Sequence, residues 1–253
     1  MTTQPYWNGT LVELDEIDST NNYAIRCISE GMAEHGWAVR ANYQTAGRGQ
    51  MGNVWESPPA ENLLCSVVLA MHGQDLRGQF VLNATLCSAI TAVLRETCHT
   101  EDIYIKWPND IYFEGKKLGG ILIENQIRGA SWTHAILGFG INVNQTHFHA
   151  EQNACSLYEI SGRTWPINAL THNLLNKIKI AVEAFLKGRS EGMALYHRFM
   201  KHRHTEMEFI WNNAPFRGIL QGVGEDGCIQ LDVDGTPHFF KHKEITWSDS
   251  AWR

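Results

Sequence analysis

The glycine-rich stretch at residues 44–55 restricts the folds open to this chain more than any other segment. Its Gly-x-Gly-x-x-Gly spacing, which begins at Gly47, matches the dinucleotide-binding fingerprint, in which a helix starts directly after the loop. Here Pro58 and Pro59 follow closely, and consecutive prolines prevent a helix from forming. The Gly-Lys-Ser/Thr of a P-loop is also missing. We therefore predict a loop between two strands. Its glycines either let a ligand approach the backbone closely or form a flexible connection without a role, and the loop alone favours neither.

Composition and charge are those of a globular protein. Of the 253 residues, 43% are hydrophobic and 19% are charged, and the formal net charge is -6. Nucleic-acid binding favours a basic face, so we predict no nucleic-acid partner. The six cysteines are scattered through the chain without a CxxC pair, which predicts thiols of a reducing compartment. No signal-peptide pattern and no apolar run of membrane length is present, so we predict a cytoplasmic protein.

Hydrophobic periodicity predicts strands and helices in a mixed order. Alternation or short apolar runs predict strands, and apolar residues at helical spacing predict helices. The predicted strands lie at 10–17, 36–44, 63–71, 102–106 and 132–144, with a hairpin that turns at 114–116 and three strands within 216–247. The predicted helices lie at 18–31, 79–99, 166–188 and 192–202. This order predicts an α/β (α+β) fold with a mixed sheet flanked by helices, in a domain at 1–195, followed by a small β-rich domain at 205–253.

Two segments place polar groups where a ligand could meet them. Ser19, Thr20 and Asn21 open a predicted helix, and the N–H groups of a helix start hold polar or anionic groups, although ordinary capping explains them equally well. Lys106 ends a strand beside Trp107-Pro108. A lysine there is placed to meet an anionic substrate, and a surface lysine with a buried stem is the alternative.

Pairs of glycines inside apolar strands form a third signal. Gly119-Gly120 and the pair Gly138 and Gly140 weaken the strands that contain them. Such glycines are expected where a ligand or another part of the chain must come close to the strand.

Taken together, "DSTNNYA", "QTAGRGQMGNVWESP", "IKWPNDIY…KKLGGILIE" and "GFGINVN" resemble the biotin protein ligases, in the same order and at similar distances. The resemblance covers essentially the whole chain. It implies a catalytic domain of the biotin/lipoate ligase type and a small SH3-like β-barrel at the C-terminus. It also implies a reaction in which biotin and ATP, with Mg²⁺, form biotinyl-5′-AMP. A lysine of a biotin carboxyl carrier protein then attacks this adenylate.

The resemblance assigns expected roles to the residues that match these motifs. Lys106 and Arg48 are the expected catalytic residues, which stabilise the charge that develops between carboxylate and phosphate. The residues expected to bind biotin are Ser19, Thr20, Asn21, Gln44, Gly47, Arg48, Gly49, Lys106, Gly119 and Gly120. The residues expected to bind the adenylate are Arg48, Gln50, Trp55 and Asn142. No residue is expected to bind a metal directly.

The chain departs from the family pattern in two respects. Gln50 and Met51 stand where many members have arginine, and glutamine does not reproduce the charge of arginine at a phosphate. We therefore expect Arg48 alone to supply the positive charge of this loop. The first predicted strand begins near residue 10, so we expect no N-terminal helix-turn-helix domain and no DNA binding. A monomer or a weak homodimer is expected.

Alternatives remain open at this point. A lipoate ligase or an octanoyl transferase has a similar fold, and Cys155 lies in a loop where the nucleophile of a transferase could stand. The pairs His147/His149 and His202/His204 could each contribute two ligands to a metal, but neither has a third ligand at a recognisable spacing. A role as a non-enzymatic binding module has no motif to support it.

Overall fold

The computed structural model describes residues 1–7 and 9–248. It divides into two compact units, Met1–Leu76 with Lys117–Ile180 and Arg77–Lys116 with Ala181–Arg253. Asn8 and residues 249–253, which fall inside the predicted domains 1–195 and 205–253, lie outside the described residues. The two units do not follow the predicted boundary near residue 200, and that boundary stays a prediction.

The regular elements of the described residues follow the predicted order, with additions. The strands are β1 (Thr2–Tyr6), β2 (Gly9–Ile17), β3 (Ala38–Gln44), β4 (Leu63–Ala70), β5 (Ile103–Lys106), β6 (Asp110–Phe113), β7 (Lys116–Arg128), β8 (Ser131–Ile141), β9 (Glu206–Trp211), β10 (Ala214–Val223), β11 (Ile229–Val233), β12 (Thr236–Phe240) and β13 (Ile245–Trp247). The helices are α1 (Thr20–Ser29), α2 (Gln79–Cys98), α3 (Leu157–Ser161), α4 (Ile167–Leu186) and α5 (Gly192–Phe199).

The first unit is built on a mixed sheet. Within it the strands are hydrogen-bonded in the order β1-β2-β3-β4-β8-β7. β2 and β3 are parallel, and the other neighbours in this order are antiparallel. A parallel pair needs a crossover connection, and α1 provides it. The predicted fold class, a mixed sheet flanked by helices, is confirmed.

Helix α1 is fixed on the sheet by apolar packing. Ala24 and Cys27 of the helix are buried in one cluster with Val39, Val68 and Ile136 of three strands. Because these side chains are almost fully buried, the helix has one well-defined position on the sheet. That position determines where the polar residues at its N-terminus lie.

The second unit contains the remaining strands and the long helix α2. Helix α2 packs against α5, and β5 pairs with β6 through a tight turn that contains the cis Trp107-Pro108 peptide. The carbonyl oxygen of Pro108 accepts hydrogen bonds from Asn83 Nδ2 and from the hydroxyl of the fully buried Tyr196, each at 2.9 Å. The turn that follows Lys106 is therefore held by two helices of the same unit.

The C-terminal strands form a separate antiparallel sheet in the second unit. In the described part of the chain its order is β12-β11-β10-β9-β13. Phe209 contacts Phe216 and Trp247 on it, with ring centroids 5.7 and 4.9 Å apart, respectively. The sequence predicted three short strands in this region, whereas the described sheet has five. β9 and β13 were not recognised. β1 was missed as well.

The cysteines behave as the sequence predicts. All six are free thiols, and Cys27, Cys65, Cys87 and Cys155 are buried. Burial raises the pKa of Cys65 to about 12, so this thiol stays protonated near neutral pH. No helix among the described residues is long and apolar enough to span a membrane. The cytoplasmic location stays a prediction.

We expect Tyr196→Phe to lower the free energy of unfolding by about 1 kcal/mol, because it removes one hydrogen bond while Asn83 still satisfies the Pro108 carbonyl. Urea denaturation measures this change. Tyr158→Phe, at a half-buried tyrosine whose hydroxyl takes part in no described hydrogen bond, is the control and should have little effect. Equal stability of both variants would contradict the role given to the Tyr196 hydroxyl.

Candidate functional site

Polar side chains gather at one edge of the sheet in the first unit. β2 and β3 are parallel, and Ile17 and Gln44, the last residues of each, are register partners. The carboxyl ends of both strands therefore meet at the same edge, and α1 begins there at Thr20. We call Thr20, Asn21, Gln44 and Ser66 the recognition cluster.

Hydrogen bonds join the members of the recognition cluster. Gln44 Oε1 accepts from the backbone N–H of Thr20 at 2.7 Å and from its hydroxyl at 2.9 Å. The Ser66 hydroxyl lies 2.8 Å from Thr20 Oγ1 and 2.6 Å from Asn21 Oδ1, and its single proton serves one of them at a time. Thr20, Asn21 and Ser66 are at most 5% exposed. The cluster is thus an uncharged set of donors and acceptors, buried except for the half-buried Gln44.

Ser19, which was predicted to bind a ligand together with Thr20 and Asn21, stands outside the recognition cluster. It is buried and stands at the N-cap of α1, with extended backbone angles and no side-chain capping bond. Its carbonyl oxygen accepts from the Tyr23 N–H at 2.9 Å. The structure therefore puts Ser19 beside the recognition cluster through the backbone of the helix start.

Gly138 makes room for Asn21. A Cβ atom at Gly138 would lie 2.3 Å from Asn21 Oδ1 and 2.9 Å from its Cγ. Gly138 is the register partner of Ser66 on β4, so the Asn21 carboxamide lies on the sheet directly over this pair. The close approach expected at this glycine is made by another part of the chain.

The glycine-rich loop is attached to the sheet and to α1 by Arg48. Its guanidinium lies 2.8 Å from Glu124 Oε1 through NH2 and 3.2 Å from Glu124 Oε2 through NH1. NH1 also donates to Asn22 Oδ1 at 2.7 Å. Glu124 Oε2 accepts in addition from Asn21 Nδ2 at 2.8 Å. Arg48 is therefore ion-paired, and Glu124 connects it to the recognition cluster.

Asn22 is held in turn by a second ion pair. Its Nδ2 donates to Asp18 Oδ2 at 3.1 Å, so its Oδ1 is left facing Arg48. Arg26 donates to both carboxylate oxygens of Asp18 at 2.8 and 2.9 Å. These hydrogen bonds from Arg26 hold the pKa of the Asp18 carboxyl well below its usual range.

No helix follows the glycine-rich loop, as its prolines predict. Residues Gln50–Gly52 form a single 3-10 turn, and the backbone then pairs back on itself, with Trp55 N–H donating to Gly47 O at 3.0 Å. A Cβ atom at Gly47 would lie 2.2 Å from Trp55 O. Met51 adopts a left-handed conformation and is 68% exposed. The dinucleotide fingerprint is therefore a coincidence of spacing.

Trp55 and Gln44 line a cleft of about 410 Å³ beside this loop. His147, His149 and Gln152 also line the cleft. The Trp55 ring lies against β8, where a Cβ atom at Gly140 would be 2.5 Å from it. The indole N–H of Trp55 is buried and has no hydrogen-bond partner among the described residues. The edge of the ring that carries this N–H packs against Gly140 of β8.

The other predicted residues of this unit lie on β7 and just after β8. Gly120 is the register partner of Gly140 and shares its face of the sheet, whereas Gly119 faces the other side, where Ile141 Cδ1 and Gly140 O fill the space at its Cα. The buried Asn142 donates from Nδ2 to Cys155 O at 3.0 Å and to Lys117 O at 3.3 Å. Its carboxamide thus holds two segments of backbone together.

Lys106 belongs to the second unit. It is half-buried at the end of β5, and its Nζ lies 4.7 Å from the centroid of the Tyr112 ring on β6. The ring face stabilises a cation at this distance. The strand end and the proline turn were predicted correctly, and the contact of Lys106 with a substrate stays a prediction.

Sequence reasoning missed Ser66, Asn22 and Glu124. Each is a polar residue whose role depends on register or helix phase: Ser66 lies in a strand that is otherwise apolar, and Glu124 follows the apolar run of β7. A serine inside "LLCSVVL" was the one available signal, because a buried hydroxyl needs a partner.

Two alternatives from the sequence can be compared with the structure: a metal site and a cysteine nucleophile at Cys155. The described residues contain no group of three or more His, Cys, Asp or Glu side chains that could hold a metal ion. Cys155 is only 3% exposed, while a catalytic cysteine must be accessible as a thiolate. The structure thus offers no exposed thiol nucleophile at this position.

Known proteins are similar to this chain in both sequence and fold. The model of the Biotin/lipoate A/B protein ligase family matches residues 14–142. The bifunctional ligase/repressor BirA of Escherichia coli (strain K12) is 30% identical over 234 residues, which cover 90% of this chain and 70% of that protein. The biotin--[acetyl-CoA-carboxylase] ligase of Mycobacterium tuberculosis (strain ATCC 25618 / H37Rv) is 24% identical over 220 residues, which cover 86% of this chain and 81% of that protein.

A solved structure agrees with these relatives. The biotin protein ligase from Aquifex aeolicus in complex with biotin and ATP superposes with a TM-score of 0.78 at 27% identity, covering 96% of this chain and 100% of that one. The resemblance found in the sequence motifs is thereby confirmed. The chain belongs to the biotin/lipoate A/B protein ligase family, on the branch of the biotin protein ligases.

Proposed function

We propose that this protein activates biotin with ATP to biotinyl-5′-AMP and transfers the biotinyl group to a lysine of a biotin carboxyl carrier protein. The observation that carries the proposal is the buried recognition cluster. A ureido group has one acceptor and two N–H donors and no charge, and hydroxyls with carboxamides offer matching partners. Relatives named as biotin protein ligases, one of them with biotin and ATP bound, support the same substrates.

The recognition cluster also favours biotin over lipoate. The dithiolane ring of lipoate has no N–H or carbonyl group to pair with Thr20, Asn21 and Ser66, which are almost fully buried. A site built to hydrogen-bond a substrate discriminates strongly against an analogue that leaves its polar groups unpaired. Lipoate ligase activity is therefore the weaker alternative, and the buried Cys155 argues against an octanoyl transferase.

The glycine-rich loop is proposed to serve the adenylation step. The biotin carboxylate must attack the α-phosphate of ATP, so two anions approach each other and positive charge is needed where they meet. Arg48 stands in the stem of the loop, where it pairs with Val54, and its guanidinium is connected to Asn21 through Glu124. Gly47 and Gly49 let the two sides of the loop approach each other closely, Gly47 beside Trp55 O and Gly49 beside Asn53. Lys106 is proposed as the second cation of the reaction.

Trp55, Gln50 and Asn142 are proposed to lie on the adenylate side. Trp55 lines the cleft beside the glycine-rich loop, which supports the assignment for this residue. Mg²⁺ is proposed to arrive with the phosphates of ATP, since this ion typically keeps several waters and needs few protein ligands. When bound, it would offset negative charge on the phosphates.

We expect the purified protein to catalyse biotin-dependent exchange between pyrophosphate and ATP, and to biotinylate a carrier domain, while lipoate supports neither reaction. Exchange of labelled pyrophosphate into ATP measures the first step, and mass spectrometry of the carrier domain measures the second. If lipoate supported both reactions at the rates seen with biotin, the result would favour the lipoate ligase alternative over the proposed function.

Arg48→Ala is expected to lower the rate of adenylate formation by about 100-fold, because the loop has no other arginine to offset the charge of the transition state. The rate of pyrophosphate exchange is the measurement. Arg217→Ala is the matched control, since it removes an exposed arginine that is ion-paired with Glu206 on the C-terminal sheet. Near-normal adenylation by the Arg48 variant would exclude this role.

Gly138→Ala is expected to weaken biotin binding by about ten-fold or more, since its Cβ would overlap Asn21 Oδ1 and displace the carboxamide from the recognition cluster. Calorimetric titration with biotin measures the affinity. Gly78→Ala serves as the control, because its Cβ would meet only Phe185 at an ordinary distance of 3.6 Å. Equal affinity of the two variants would show that Asn21 does not contact biotin.

A further inference from the structure

Glu124 is the branching point between the loop and the recognition cluster. Its Oε1 accepts from Arg48, and its Oε2 accepts from both Asn21 and Arg48. Glu124 is half-buried, with 23% of its side chain exposed, while the Arg48 side chain is 41% exposed. One carboxylate therefore holds a residue of the glycine-rich loop and a residue of the helix start at once.

We propose that Glu124 is a positioning residue for adenylation, which acts by holding the Arg48 guanidinium in one place beside Asn21. This inference rests on the proposed function. A two-point contact between a guanidinium and a carboxylate fixes the plane and the rotation of the guanidinium, and the third contact with Asn22 Oδ1 fixes its remaining freedom. Without Glu124, Arg48 has one side-chain partner left among these contacts.

The charge of Glu124 makes a direct role with the substrate unfavourable. A carboxylate beside an anionic carboxylate and a triphosphate repels both. Its presence is explained by what it does to its partners: it places the Arg48 cation and orients the Asn21 carboxamide, whose Oδ1 then faces Ser66. An ion pair this exposed adds little to folding stability.

The position of the loop depends on the same contact. The backbone of residues 45–46 is tied to β2 and its end by N–H groups that donate to Ile17 O and Asp18 O. Beyond that point, the bonds from Gly49 to Asn53 and from Trp55 to Gly47 are internal to the loop. The Arg48 side chain connects the stem of the loop, at its bridge with Val54, to α1 and β7.

Glu124→Gln separates the two functions of the carboxylate. The glutamine oxygen can still accept from Asn21 Nδ2, while its NH₂ group then faces Arg48 NH2, donor against donor. We expect the single-turnover rate of adenylate formation to fall by about ten-fold or more, with the KM for biotin within about two-fold of wild type. A single-turnover rate does not depend on the fraction of protein that is folded.

Two further measurements link the effect to Arg48. In a double-mutant cycle, Glu124→Gln should cause no further loss of rate in an Arg48→Ala background, because its effect passes through Arg48. Trypsin cleaves after arginine side chains that can enter its pocket. Cleavage after Arg48 should therefore be several-fold faster in ligand-free Glu124→Gln than in wild type, since the side chain is released.

The outcomes distinguish this inference from the proposed function. Absence of biotinyl-adenylate in wild type would overturn the proposed function. With an active wild type, an unchanged rate for Glu124→Gln, additive losses in the cycle, or unchanged tryptic cleavage after Arg48 would each overturn the positioning role. Glu206→Gln, which breaks an exposed ion pair with Arg217, is the control and should match wild type in all three measurements.

Discussion

The site in the first unit depends on one connected network of polar contacts, in which the Ser66 proton serves either Thr20 or Asn21. It runs from Gln44 through Thr20, Ser66 and Asn21 to Glu124 and ends at Arg48. Thr20, Ser66 and Asn21 are buried, and a buried polar group without a partner is costly, so each of them restricts the orientation of the next. The network thereby couples a neutral recognition cluster to the cationic loop without any direct contact between the two ends.

The pairing of Arg48 with Glu124 reduces the net positive charge of the glycine-rich loop and its contacts. Gln50 and Met51 leave Arg48 as the arginine of this segment, and Glu124 neutralises it. A neutral pair attracts an anion less strongly than a free cation does. What the pair gains is a fixed geometry, and preorganised groups stabilise developing charge without having to rearrange during the reaction. The loop therefore attracts an anion less strongly but holds the Arg48 guanidinium in a fixed position.

The sequence predicted the parts of this structure that depend on local pattern. The alternation in β2, the helix start at Thr20 and the prolines after the loop each specify their element within a few residues. β1, β9 and β13 were missed because short strands are stabilised by their neighbours in a sheet more than by their own residues. Ser66 and Glu124 were missed for a related reason, since their roles arise from the register of β4 and β7 and not from any spacing along the chain.

In this unit the apolar cluster under α1 and the recognition cluster lie on the same face of the sheet, so a change in one affects the other. Directly opposite residues of an antiparallel pair share a face, so Val68 with Ile136 and Ser66 with Gly138 lie on the same side of β4 and β8. The first pair is covered by α1 in the apolar cluster, and the second lies under Asn21 of the same helix. A core substitution that shifts α1 along this face would move Asn21 with it. The energetic cost of such a change would therefore appear in substrate affinity as well as in stability.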